Sequence, residues 1–141
     1  MRIKLFEDFR ATGNADVDLI KSIWEVDPYE FYDILITEFN STPFISFSFL
    51  YEVPSETTEF TPCFYVEDGN IKRAPWYDNI DSIMDSGKYL IVIEAWIRDV
   101  DDLPSELEIN NRIKSYNFPY VLDPIERQDV GEYYLQFNKI R

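Results

Sequence analysis

The sequence predicts an α+β fold: a mostly antiparallel sheet of about five strands with three to four helices packed on it, in a single domain over residues 1–141. Three observations predict it. Lys88 to Arg98, KYLIVIEAWIR, carries a continuous β-branched apolar run after the Ser86-Gly87 turn signal, which reads as a strand covered on both faces. Phe44 to Tyr51, FISFSFLY, alternates as a strand does, with Ile45, Phe47, Phe49 and Tyr51 on one side. Asp27-Pro28-Tyr29-Glu30 opens a helix, with Asp27 as N-cap, Pro28 in the first turn and Glu30 at the capping-box position. Strands mixed with helices and joined by hairpin-length turns give the class.

The other elements follow in order. Arg2 to Phe9 alternates loosely and reads as a first strand or an extended arm. Its basic-apolar alternation and the Phe6-Glu7-Asp8-Phe9 element resemble the opening of small uncharacterised proteins of tailed bacteriophages. The resemblance covers nine residues and implies an origin, with no site residue carried over.

Asn14 or Asp16 can cap a short helix bearing Val17, Ile20, Ile23 and Trp24. The Asp27 helix runs to about Phe39 and ends at Asn40-Ser41-Thr42-Pro43. Its apolar residues wrap most of its circumference and leave Glu30, Asp33, Thr37 and Glu38 on one narrow stripe, so cover from more than one side is expected. Val53 to Pro62 reads as a polar connection. Glu67-Asp68-Gly69-Asn70 is a hairpin turn between Phe64-Tyr65-Val66 and Ile71 to Ala74. Trp76 to Asp85 reads as a helix capped by Asp78. Trp96 is expected to be a buried core anchor, worth roughly 3–5 kcal/mol on truncation to Ala. Ser105, with Glu108 at capping-box distance, starts a helix carrying Leu107, Ile109, Ile113 and Tyr116, ended by Asn117-Phe118-Pro119. Asp123-Pro124 and Val130-Gly131 bracket a polar loop, and Glu132 to Phe137 is a last strand.

Composition excludes several chemistries. Histidine is absent, which removes Ser-His and Cys-His catalysis and imidazole metal ligands. The single Cys63 lies in an apolar run and reads as a buried, inert thiol. No apolar run approaches the roughly 20 residues of a membrane span. Charges inside the N-terminal apolar stretch argue against a signal peptide, so a cytoplasmic location is expected. The net charge of −14 opposes direct nucleic-acid binding and anionic membranes.

No catalytic, metal or cofactor motif emerges. The Asp16–Asp18 and Asp99–Asp101 triplets lack the glycine of a calcium loop, and helix-flanking acids explain them more simply. Asp85 followed by Glu94 has the acid order of metal-dependent nucleases, but Trp96 stands where that chemistry needs a basic residue. The four glycines are scattered, so no phosphate loop exists.

Charge distribution is more specific. Ten acids and no base lie between Lys21 and Lys72, whereas the rest of the chain holds 17 acids against 13 bases. An acidic stripe beside aromatics suits a basic protein partner, because charge steers encounter while rings supply affinity. The expected function is a non-enzymatic interaction protein, binding through Glu25, Tyr29, Glu30, Tyr32, Asp33 and Glu38. If phage-encoded, it would inhibit a basic, nucleic-acid-handling or defence-related host protein in the host cytoplasm, with DNA mimicry as the extreme form. Two other readings are a self-assembling structural or virion-associated homo-oligomer, and a small-molecule or nucleotide binder using Lys72, Arg73 and Arg98.

Overall fold

The computed structural model describes residues 15–52, 58–98, 105–123, 126–129 and 132–139. In chain order these form α1 (Ala15–Ile23), α2 (Pro28–Phe39), β1 (Pro43–Glu52), β2 (Thr58–Glu67), β3 (Asn70–Arg73) and a 3-10 turn at Tyr77–Asn79. Then come α3 (Ile80–Ser86), β4 (Tyr89–Ile97), α4 (Glu106–Lys114), β5 (Tyr120–Leu122), β6 (Glu126–Asp129) and β7 (Glu132–Lys139). The strands join one sheet in the order β3-β2-β1-β4-β7-β5, and β6 pairs with β7 on the same side as β5. Every pairing is antiparallel, and the fold is α+β as expected.

Local signals in the sequence fix several of these elements. Asp27 is the N-cap of α2, its Oδ1 accepting from the N–H groups of Tyr29 at 2.9 Å and Glu30 at 3.2 Å. Asn40 ends the helix in the left-handed region, its N–H bonded to the Ile36 carbonyl. Asp68 and Gly69 both have positive φ, as the tight β2–β3 turn requires. Ser105 caps α4 by accepting from the Glu108 N–H.

Other expectations are corrected. Strand β2 begins at Thr58, inside the stretch read as a polar connection. Pro62, which argues against a strand, is tolerated because the β1–β2 register shifts between Phe47 and Ser48, leaving Cys63 as an extra residue on β2. Strand β6 lies within the bracketed polar loop, and the short β5 precedes it. Asp78 makes no side-chain cap; a 3-10 turn leads into α3 instead. Leu107 faces solvent at 71% exposure. The Arg2–Phe9 reading and the Asp99–Asp101 triplet lie outside the described residues.

The helices pack on one face of the sheet. That face presents Phe47 and Phe49 of β1, Phe64 of β2, Ile93 and Ile97 of β4 and Phe137 of β7, all fully buried. Phe31 of α2 meets Phe137 edge-on at 5.3 Å. Trp24, directly after α1, is the central anchor of this layer. Its ring lies 5.9 Å from Phe47, 5.1 Å from Phe49 and 6.0 Å from Phe64. Its indole N–H donates to the carbonyls of Ser48 and Val92, each at 3.1 Å, on the adjacent strands β1 and β4.

Trp96, expected in that role, sits on the opposite face and keeps part of its ring exposed. The continuous apolar run of β4 marks cover on both faces without saying which tryptophan lies under the helices. Trp24→Ala should cost roughly 3–5 kcal/mol, the upper range for a buried aromatic, and Trp96→Ala clearly less. Urea unfolding midpoints of the two variants check the order.

Candidate functional site

Two surfaces concentrate chemistry. The first is the outward face of α2, where Tyr29, Asp33 and Thr37 recur at four-residue spacing beside Glu30 and Ile34. Together with Asp27 and Tyr116 these residues line a shallow open depression of about 430 Å³. Glu30 and Asp33 are exposed and make no ion pair among the described residues.

The remaining expected binding residues separate from this group. Glu25 pairs with Lys139 of β7. Glu38 accepts from the Tyr116 hydroxyl at 2.7 Å and lies 3.6 Å from Arg112 of α4, so it ties α2 to α4. Tyr32 packs toward the β2–β3 turn, where a Cβ added to Gly69 would meet its ring at 3.8–4.0 Å. Burial, then the charges of Asp68 and Asp33, raises its phenol above the ordinary value. Tyr116, on the wall of the depression, was not among the expected site residues. No local signal could have brought it to α2, because the two are joined only by tertiary packing.

The same pairing accounts for other candidates. Asp16 holds Arg73 at 3.0 Å, and Arg73 also stacks over the Tyr77 ring at 4.4 Å. Lys72 pairs with Glu67 at 2.8 Å. These partners take up two of the three basic residues suggested for an anionic ligand. The third, Arg98, makes no ion pair among the described residues. No cluster of potential metal ligands occurs among the described residues. Cys63 is fully buried, and burial pushes its thiol up to about 12.

The second surface is the sheet face that bears no helix among the described residues. Phe44, Trp96 and Tyr134 stand side by side on β1, β4 and β7, at 5.7 and 5.3 Å between ring centres. Tyr65 of β2 joins Phe44 diagonally at 5.2 Å. Behind this row lies a polar one. Glu94, 5% exposed, accepts from Tyr134 Oη at 2.7 Å and Ser48 Oγ at 3.2 Å. Ser46 and Ser48 share a 2.6 Å hydrogen bond, and Gln136 Nε2 donates to Asn138 Oδ1 at 3.0 Å. Glu94, singled out in the sequence as half of an acid pair, is therefore held in a hydroxyl network on the sheet.

Desolvation raises the Glu94 carboxyl above its ordinary value, against the lowering effect of its two hydroxyl donors. The folded state therefore holds this proton more tightly than the unfolded chain. That contribution to stability is complete below the unfolded value of 4.5 and is lost as pH rises through the raised folded value. Glu94→Gln should consequently gain on the wild type as pH rises from acid to neutral. Urea midpoints across that range check it, and a pH-independent difference would count against a carboxyl held above its ordinary range.

No helix among the described residues is long and apolar enough to cross a membrane. The chain matches no family model, no curated protein and no solved structure.

Proposed function

We propose that this is a protein-binding protein that engages a basic partner through the outward face of α2. The observation that carries the reading is the division of its acids into paired and unpaired. Glu25, Glu38, Glu67 and Asp16 are matched by cations of the chain itself, whereas among the described residues Glu30 and Asp33 have no matching cation around an aromatic-walled depression. Unmatched carboxylates beside Tyr29 and Tyr116 supply both steering and contact for an Arg or Lys side chain. The site is thereby narrower than the sequence suggests: Tyr29, Glu30, Asp33 and Tyr116 form it, while Glu25 and Glu38 support the fold. Should the chain derive from a phage, its partner would be a basic host protein that handles nucleic acid or serves defence, and binding would inhibit it.

Charge reversal tests the reading. Glu30→Lys combined with Asp33→Lys changes two exposed side chains and should leave the circular dichroism spectrum intact. Tagged wild-type protein should retain a basic protein from bacterial lysate at low salt and release it at high salt. The double variant should retain it at least about tenfold less, equivalent to 1.4 kcal/mol. Equal retention by the variant sinks the proposal. Recovery of only the chain itself, at every salt concentration, would replace it with self-assembly.

A further inference from the structure

The sheet face that bears no helix among the described residues carries a feature that the proposed protein-binding role does not use. At the hairpin end of the Tyr65-Phe44-Trp96-Tyr134 row lies a recess of about 90 Å³ lined by Thr42, Pro43, Phe44, Glu67, Asp68 and Arg98. Phe44 belongs to both, so the rings and the recess form one continuous surface. Each of the four rings keeps part of its area exposed, and Thr42, Asp68 and Arg98 are exposed.

We propose that this face binds a neutral saccharide chain, with sugar rings stacked on Phe44 and Trp96 and hydroxyl groups reaching into the recess. The argument is one of charge and of hydrogen-bonding capacity. Arg98 supplies donors only and the Glu67 and Asp68 carboxylates supply acceptors only, while the Thr42 hydroxyl can do either. Opposite charges lining so small a recess favour neither an anion nor a cation. They suit a ligand whose every polar group both donates and accepts, and a sugar hydroxyl is such a group. Partly exposed aromatic rings beside a few convergent polar groups are the general make-up of a small-molecule site. Polyanions that stack on aromatic rows, such as single-stranded nucleic acids, are opposed by the net charge of −14.

Affinity electrophoresis of the full chain in gels containing dextran, mannan, xylan or hydroxyethylcellulose tests the proposal, with polygalacturonate as the anionic control. At least one neutral polymer should retard the protein, to an extent that raised salt does not change. Arg98→Ala and Asp68→Asn should each weaken that retardation at least about tenfold. Both positions are exposed, and Asn tolerates the positive φ of residue 68, so the variants should fold. The variant with Glu30→Lys and Asp33→Lys should bind the polymer as the wild type does, which separates this face from the α2 face. Absence of retardation by every neutral polymer overturns the proposal, as does retardation unchanged in Arg98→Ala and Asp68→Asn. Stronger retardation by polygalacturonate overturns it too. A proline decamer that binds where no polysaccharide does would assign the rings to extended peptides and overturn it as well.

Discussion

The two hydrogen bonds from the Trp24 indole are the constraint on which the helical layer depends. Ser48 and Val92 face each other across the β1–β4 seam, and one N–H reaches both carbonyls. A buried indole donor left without a partner would be costly, so the ring can enter the core only in an orientation that also finds those oxygens. That orientation fixes where α1 ends relative to the central strands. The Tyr120 hydroxyl then donates to the carbonyl of Trp24 itself at 2.6 Å, bringing β5 into the same chain of dependence. One side chain and its own backbone thus link α1, the middle of the sheet and its far margin.

Around that anchor the two faces of the sheet do different work. The helix side is apolar and closed, with aromatic rings meeting mainly at steep angles. The other side combines rings with a hydroxyl-carboxyl-amide network, in which a carboxylate is kept in place by donors from two neighbouring strands. Polar groups placed this way hold register, because a one-residue slip would move Glu94 into the apolar layer. Tyr65, facing Ser46 directly across the β1–β2 pair, is held above its ordinary value by burial first and by the Glu94 charge second.

Legibility in the sequence followed the range of the interaction. Caps, hairpin turns and alternating strands are decided within a few residues, and Asp27, Asn40, Asp68-Gly69 and Ser105 behave as their local chemistry dictates. What was misjudged depends on partners far away in sequence. Trp96 looked central because its strand is apolar, while Trp24 gained that place through carbonyls 24 and 68 residues away. Strand β2 starts inside a stretch whose polar composition reads as a connection, and it passes through Pro62, whose accommodation needs a bulge that only the pairing with β1 reveals. The acidic segment was visible as composition, but which acids are matched was not, since Lys139 and Arg112 come from other elements. Tyr116 entered its candidate surface in the same way, through the fold and not through spacing.

The margins of the sheet have a consequence for how this chain meets others. Among the described residues the outermost strand on one side is the four-residue β3, which carries Lys72 and Arg73. On the other, β5 and β6 offer three and four residues, and the pairing of β6 with β7 shifts register between Arg127 and Asp129. Short, charged or interrupted borders are poor templates for adding a foreign strand. Despite the sheet's richness in aromatic and β-branched residues, its described borders therefore disfavour edge-to-edge growth into fibrils. Contacts with another molecule are directed to its broad surfaces, where side chains and not bare backbone decide what is accepted.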